Sequence, residues 1–205
     1  MNKMREQPRT MILASASPRR QELLGVFGLP FTVCASHVDE QVDEWTSPAG
    51  YVMAIAQRKA GAIGVANDTP ENALIIAADT TVVIDGDILG KPSDTAEAKA
   101  MLSRLQGRRH DVFTGLCVLD RQSGQIEVTH SQTAVHMKPL SARTIDAYVA
   151  TGEPMDKAGS YGIQGRGATF IEAIDGDYFT VVGLPLSLLE SVLTRMGIAT
   201  WPPQM

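Results

Sequence analysis

Short apolar runs alternate along the chain with segments in which apolar residues recur every three or four positions. Runs such as Met11–Ala14 and Phe31–Cys34 predict β-strands, whereas the helical spacing over residues 51–63 predicts an amphipathic α-helix. Two longer strand patterns, near 111–119 and 126–137, are joined by a polar turn and predict a β-hairpin. This alternation, with hairpins among the helices, indicates an α/β fold on a mixed sheet.

A continuous apolar run at Ala73–Ala78 predicts a strand over residues 73–81 that is buried on both faces. The run ends at Asp79. A carboxylate at the end of such a strand would lie at the margin of the sheet, where it can reach water, a metal or a ligand. The alternative is that Asp79 only begins the turn into a hairpin at Asp85-Gly86. This stretch by itself does not separate the two interpretations.

Capping signals place the starts of the helices. Ser17 and Ser47 are each followed by proline, which is typical of an N-cap and a first helical residue, and Gly28 is predicted to end the first of these helices. Asp94 and Glu97 have capping-box spacing, and Ser141 is predicted to cap a helix that ends at Gly152. The pattern near the C-terminus predicts strands near 169–174 and 178–182, and then a last helix over 185–196.

Composition and charge restrict the function. The chain has 205 residues and a net charge of −5, which argues against a nucleic-acid partner. Its two cysteines form no CxxC pair, and no apolar run reaches the roughly 20 residues of a membrane span. Residues 1–9 lack the apolar core of a signal peptide and are predicted to form a flexible extension. We therefore expect one cytoplasmic domain over residues 1–205 that does not bind membranes.

The turn from Ser15 to Arg20 has the residues of an anion site. It leads from a strand into a helix N-terminus, where free N–H groups and the helix dipole favour negative charge. Two hydroxyls, Ser15 and Ser17, and two guanidiniums, Arg19 and Arg20, suit phosphate oxygens. The alternative is a capped helix with two solvated arginines.

Further candidates are acidic, basic and glycine-rich. Asp39-Glu40 and Asp79 follow separate strands and could converge on Mg²⁺, or an Asp could deprotonate water. Lone lysines, Lys59, Lys91 and Lys157, are usually solvated, although Gly90 and Pro92 fix the backbone of Lys91 in a turn. The segment 159–167 has four glycines around Gln164, which could pair with the edge of a base. The histidines have no metal-ligand spacing.

Five motifs in register over about residues 11–195 resemble the Maf family of nucleoside triphosphate pyrophosphatases. They are Leu13-Ala-Ser-Ala-Ser-Pro-Arg-Arg20, Ala78-Asp79-Thr80, Gly90-Lys91-Pro92, Asp156-Lys157-Ala-Gly-Ser-Tyr-Gly-Ile-Gln-Gly165 and Val182-Gly-Leu-Pro185. The resemblance implies an elongated mixed sheet flanked by helices, with two lobes and a central cleft, related to the ITP/XTP pyrophosphatases. It also implies hydrolysis between the α- and β-phosphates, a divalent cation (Mg²⁺ or Mn²⁺) and a homodimer.

The resemblance also assigns roles to single residues. Asp79 would be the general base and would bind the metal together with Glu40. The residues that would hold the triphosphate are Ser15, Arg20, Lys59 and Lys91. Gln57-Arg58 before Lys59, and Asp39 beside Glu40, depart from the usual family pattern and leave the metal ligands in that loop open.

Three positions separate the subgroups of this family. Arg19, Thr80 and Gln164 match the dTTP/UTP subgroup at all three, whereas the subgroup acting on 7-methyl-GTP usually has Trp, Gln and Glu there. An amide can both donate to and accept from a uracil-type base, whereas a carboxylate only accepts. The alternatives are a pyrophosphatase for another nucleotide, methylated or purine, and a non-catalytic nucleotide-binding regulator of septum formation.

Overall fold

A computed structural model describes residues 9–40 and 47–201 of the chain. The predicted N-terminal extension before Arg9 and residues 41–44 of the acidic loop lie outside the described residues. The strands are β1 (Thr10–Leu13), β2 (Phe31–Val33), β3 (Ala73–Ile84), β4 (Asp87–Leu89), β5 (Arg109–Asp120), β6 (Ile126–Met137) and β7 (Ile171–Asp175). The α-helices are α1 (Pro18–Gly25), α2 (Pro48–Gly64), α3 (Thr95–Leu105), α4 (Ala142–Val149), α5 (Tyr178–Val182) and α6 (Leu186–Arg195). Three short 3₁₀ segments lie at Glu153–Asp156, Ala158–Ser160 and Gly165–Phe170.

The seven described strands form one mixed sheet, which confirms the predicted fold class. Its order is β2-β1-β3-β5-β6-β7, and the short β4 pairs with the end of β3. β1 runs parallel to both β2 and β3, whereas the other pairs are antiparallel. Among the described helices, none has the length and apolar character needed to cross a bilayer.

The prediction that the strand ends near Asp79 is wrong, because β3 continues to Ile84 and places Asp79 in its middle. The strand continues because the β-branched residues Thr80 and Thr81 pair with β5, as Asp79 does with Gly115. On the opposite edge, β1 pairs only with residues 73–76 and β4 only with residues 82–84. Between β1 and β4, this edge of residues 77–81 pairs with no strand in the described part of the chain, although their other edge pairs with β5. This gap in the sheet gives side chains in mid-strand access to a ligand.

Alternation along β3 sends neighbouring residues to opposite faces of the sheet. Leu74 and Ile76 pack in an apolar cluster with α1 and α6, whereas Ile75 packs with α2 on the other face. A separate cluster around Val82 includes α3 and α4. The predicted burial of this strand on both faces is therefore confirmed. The same alternation directs Asp79 toward α2 and Thr80 toward α1.

Helix α2 lies unusually close to the sheet at Gly115. A Cβ at this position would lie 2.3 Å from the carbonyl oxygen of Val52 and 2.7 Å from the nitrogen of Met53. Both are backbone atoms of α2, so only glycine allows this approach. Because Gly115 pairs with Asp79, the close contact brings α2 directly beside the middle of β3.

The helix starts follow the predicted capping signals. Ser17 and Ser47 occupy N-cap positions before proline, and the Ser47 hydroxyl accepts from the Gly50 amide. Asp94 accepts from the Glu97 amide at 2.7 Å, and Ser141 accepts from that of Thr144. The first helix ends at Gly25, three residues before the predicted stop.

One predicted strand is wrong, because residues 178–182 form the short helix α5. The carboxylate of Asp177 caps it by accepting from the amides of Phe179 and Thr180, at 3.2 and 2.8 Å. Gly183, with φ of 121°, ends it. The β-branched composition of the segment favoured a strand, but the local cap determined the conformation.

Candidate active site

A cleft of about 460 Å³ lies where the partner strands of β3 are missing. Ser15, Arg20, Asp79 and Gln164 all line it. The described residues lining the cleft include five cationic side chains, Arg19, Arg20, Lys59, Lys91 and Lys157, and three anionic ones, Glu40, Asp79 and Asp156. This local excess of positive charge, in a chain of net charge −5, favours an anionic ligand.

Asp79 faces Lys59 at the base of the cleft. The Lys59 ammonium lies 2.7 Å from the Asp79 Oδ1 and 2.7 Å from the Glu40 Oε1. The side chains of Lys59 and Asp79 are 8% and 10% exposed, whereas that of Glu40 is 50% exposed. Partial burial raises the pKa of Glu40, but the hydrogen bond and charge of Lys59 outweigh it, so the net pKa is lowered. In this arrangement Lys59 binds two carboxylates, although the sequence predicted that it holds phosphate.

The guanidinium of Arg20 is fixed from three directions. Its Nε donates to the carbonyl of Gly183 at 2.8 Å, its Nη2 to the Thr80 hydroxyl at 3.0 Å and its Nη1 to the Ser15 hydroxyl at 3.3 Å. Three of its five N–H donors are thus engaged and two remain for a ligand. Desolvation lowers the pKa of Arg20, but an arginine keeps its charge at any physiological pH. Gly183 permits this packing, because a Cβ there would lie 3.3 Å from the Thr80 oxygen.

Arg19 connects the two sides of the cleft. Its Nη1 donates to the Asp156 carboxylate at 2.9 Å, and the Lys157 ammonium donates to the same carboxylate at 2.6 Å. Burial raises the pKa of Asp156, yet the hydrogen bonds from Lys157 and Arg19 lower it overall. The first helix is thereby linked to the 3₁₀ segment Glu153–Asp156.

Glu153 organises the glycine-rich segment. Its carboxylate accepts from the amides of Arg166 and Gly167, at 3.1 and 3.0 Å, and from the hydroxyl of Tyr148 at 3.0 Å. A Cβ at Gly167 would lie 2.4 Å from the Gly162 carbonyl oxygen, so the segment is folded tightly on itself. Gln164 lies between these anchored residues and lines the cleft.

The turn that carries Lys91 follows β4 and also lines the cleft. Lys91 is exposed, and the Gly90 carbonyl accepts from the Gly159 amide at 3.0 Å. A Cβ at Gly159, where φ is 66°, would overlap the side chain of Val82 at 2.8 Å. The hydrogen bond from Gly159 to Gly90 ties the Gly90 turn to the glycine-rich segment.

The carboxylates Glu40 and Asp79 fit a divalent cation as a pair, because both already contact a single cationic group, the Lys59 ammonium. Mg²⁺ is commonly held by one or two carboxylates together with substrate phosphates. The described residues contain no cluster of three or more metal-ligating side chains. Within the described part of the chain, Glu40 and Asp79 together with a substrate phosphate are the donors that a cation could use.

Glu153 and Asp156 were not among the site residues that the sequence predicts. Asp156 stands inside a quoted motif, but nothing in its spacing predicts a partner 137 positions away. Glu153 follows Gly152 and precedes Pro154, a context typical of a turn, and its amide partners lie 13 and 14 positions further on. In both cases the signal lies in the tertiary contacts.

The fold and the cleft define an α/β protein on a mixed sheet whose cleft suits an anionic ligand. A solved structure titled as the Ham1 protein of Staphylococcus aureus shares the fold, with a TM-score of 0.51 and 13% identity, over 92% of this chain and 100% of that one. Residues 10–196 match the family model described as Maf-like protein, and the chain belongs to this family.

Relatives named dTTP/UTP pyrophosphatase are similar over almost their whole length. The protein from Moorella thermoacetica is 50% identical over 93% of this chain and 97% of its own length. The one from Symbiobacterium thermophilum is 51% identical over 91% of this chain and 94% of its own length. The one from Desulforamulus reducens is 50% identical over 93% of this chain and 98% of its own length.

Proposed function

We propose that the protein hydrolyses dTTP and UTP between the α- and β-phosphates, giving the nucleoside monophosphate and pyrophosphate. The observation that carries the proposal is that Asp79 lies in the gap of the sheet, in the same cleft as the Arg20 turn and Gln164. The names of the similar relatives support the same substrates. A carboxylate, phosphate donors and a base-reading amide are the parts that such a hydrolase requires.

The triphosphate would bind along the cationic side of the cleft. The two free N–H groups of Arg20 suit a bidentate contact with phosphate oxygens. The Ser15 hydroxyl beside it and the exposed Lys91 ammonium after β4 would contact further oxygens. Lys59 would contact phosphate only by shifting from at least one of its two carboxylates, since both lie at 2.7 Å.

The chemistry would be an in-line attack of water on the α-phosphorus. The water oxygen forms a bond to phosphorus, the bond from the α-phosphorus to the bridging oxygen breaks, and pyrophosphate leaves with the electron pair. Asp79 would take the proton of the water as general base. A divalent cation held by Asp79 and Glu40 would supply charge neutralisation on the phosphates when bound. Lys59 would keep the two carboxylates oriented.

Base selection would be carried by Gln164. Its amide both donates and accepts, which matches the carbonyl and imide N–H edge of uracil or thymine. Glu153 holds the backbone just after this amide, at Arg166 and Gly167. Arg19 and Thr80, the other two subgroup positions, have partners in the protein, Asp156 and Arg20, and would act by shaping the cleft.

The test is a product assay with Mg²⁺ or Mn²⁺ across dTTP, UTP, CTP, ATP, GTP and 7-methyl-GTP. Pyrophosphate, and not orthophosphate, should appear with dTTP and UTP. Asp79→Asn should abolish turnover, whereas Asp146→Asn, which changes an exposed carboxylate on α4, should not. Full activity of Asp79→Asn would reject the assigned base.

Substitution of Gln164 tests the assigned specificity. Gln164→Glu should lower turnover of UTP and dTTP about tenfold relative to the other nucleotides, because the carboxylate cannot donate to the base. An equal loss for every nucleotide would reject recognition of the base by Gln164. Binding of nucleotide with no turnover of any substrate would reject the proposed hydrolysis.

A further inference from the structure

Thr114 lies behind the cleft, on β5, directly opposite Thr80 of β3 in the register of the sheet. Its side chain is fully buried and does not line the cleft. It makes two hydrogen bonds: its hydroxyl donates to the carbonyl of Thr180 at 2.7 Å and lies 2.9 Å from the Thr80 hydroxyl. A buried hydroxyl with two fixed partners, one of which contacts Arg20, can determine how that arginine is held.

The protons in this chain of hydrogen bonds have only one consistent arrangement. A carbonyl oxygen accepts only, so the single hydroxyl proton of Thr114 belongs to the bond with Thr180. Thr114 must then accept at its other contact, and Thr80 must donate its own proton there. Thr80 has only acceptor capacity left for Arg20, whose guanidinium can only donate. The order is therefore from Arg20 to Thr80, from Thr80 to Thr114, and from Thr114 to the Thr180 carbonyl.

The far end of this chain is itself held in place. Thr180 belongs to α5, and its amide and hydroxyl both donate to the Asp177 carboxylate at 2.8 Å. Its carbonyl is therefore a fixed acceptor for Thr114. Linked hydrogen bonds of this kind polarise one another and lose more than one contact when an internal member is removed.

We propose that Thr114 is a positioning residue for the phosphate-binding guanidinium of Arg20 and acts through Thr80. While the chain is intact, the Thr80 proton is directed away from the cleft, so Thr80 influences a ligand through Arg20 and not by donating to it. The proposal rests on the proposed function only in treating Arg20 as the group that binds phosphate.

The experiment is a calorimetric titration of pyrophosphate into wild-type protein and five variants. Thr114→Val removes the hydroxyl and keeps the shape of the side chain. Thr114→Ser keeps a hydroxyl at this position. Comparison of Thr80→Val with the double variant Thr80→Val/Thr114→Val tests whether Thr114 acts through Thr80. Thr133→Val is the matched control, since Thr133 is equally buried on β6 and also donates to a carbonyl at α5, that of Asp177.

The expected results form a pattern that general loosening of the fold would not give. Thr114→Val should raise the Kd for pyrophosphate about tenfold, which corresponds to roughly 1.4 kcal/mol, whereas Thr114→Ser and Thr133→Val should stay within about twofold of wild type. The double variant should bind no more weakly than Thr80→Val. If Thr114→Val does not fold, Thr114→Cys takes its place, because a thiol is a weak donor, and the same direction of change is expected.

Three results would overturn the proposal: wild-type affinity in Thr114→Val, an equal loss in Thr133→Val, or additive losses in the double variant. Turnover of UTP is measured on the same proteins. If wild-type protein binds pyrophosphate but releases none from UTP, the proposed function fails while the positioning role is still decided by the Kd values. Where turnover is present, Thr114→Val should raise KM more than it lowers kcat.

Discussion

Replacing Gly115 by alanine should separate helix α2 from the sheet at the point where Asp79 lies. A Cβ at this position would lie 2.3 Å from the carbonyl oxygen of Val52 and 2.4 Å from its carbonyl carbon. Both atoms belong to the helix backbone, so no change of side-chain rotamer relieves the overlap. The helix or the strand must move.

The size of the movement follows from the distances. An ordinary contact would need at least 3.4 Å, so α2 must withdraw by roughly 1 Å. Overpacking of this kind costs 1 to 3 kcal/mol or more, and we expect about 3 kcal/mol because backbone is displaced. Lys59 moves with the helix. A misplacement of about 1 Å in a site of this kind can lower the rate about a hundredfold.

Urea denaturation and release of pyrophosphate from UTP measure the two effects. Gly61→Ala is the matched control, because Gly61 lies in the same helix and a Cβ there meets nothing within 4 Å. It should stabilise the protein by about 0.5 to 1 kcal/mol and leave turnover unchanged. If Gly115→Ala kept the wild-type urea midpoint and rate, the close packing of the α2 backbone on β5 would be wrong.

Three further predictions concern ionisable groups. Lys59→Met should lower the free energy of unfolding, measured by urea denaturation, by about 3 kcal/mol, since it leaves the nearly buried Asp79 without its cation. The double variant Lys59→Met/Asp79→Asn should recover part of this loss. No recovery in the double variant would refute the pairing. Glu153→Gln should lower the free energy of unfolding by about 2 kcal/mol and raise the KM for UTP, because the amide oxygen cannot accept from two backbone N–H groups and a hydroxyl together. The control Glu97→Gln, which weakens the cap of α3, should lower stability without changing the KM. Equal KM values in the two variants would contradict this role. Burial lowers the pKa of His110 from 6.5 to about 4, so protonation of this side chain favours the unfolded state. The contribution of His110 to stability should be intact above pH 6.5 and be lost between pH 6.5 and 4. Below pH 4 the free energy of unfolding should be lower by about 3 kcal/mol than at neutral pH. Urea midpoints from pH 7 to 4 should show a flatter acid limb in His110→Gln, and an unchanged limb would exclude His110 as its source.

The sequence by itself determined most of the local structure. Apolar runs and capping residues are signals carried by neighbouring positions, so the start of β3, the hairpin that follows it and the starts of α2 and α3 were predicted correctly, whereas the end of β3 was not. The residues of the cleft were also identified from motifs, and the structure brings Ser15, Arg20, Asp79 and Gln164 together. Where two local signals conflicted, as at 178–182, the β-branched composition led to the wrong prediction.

Only the tertiary structure decided what surrounds Asp79. The sequence pattern shows an apolar run that ends, but whether the strand also ends depends on its partners, β5 along one edge and the gap between β1 and β4 along the other. Likewise, Lys59 is 20 positions from Asp79. No spacing rule connects residues on different elements, because their approach is set by how closely the elements pack. Here that closeness depends on Gly115, which the sequence displays only as one glycine among many.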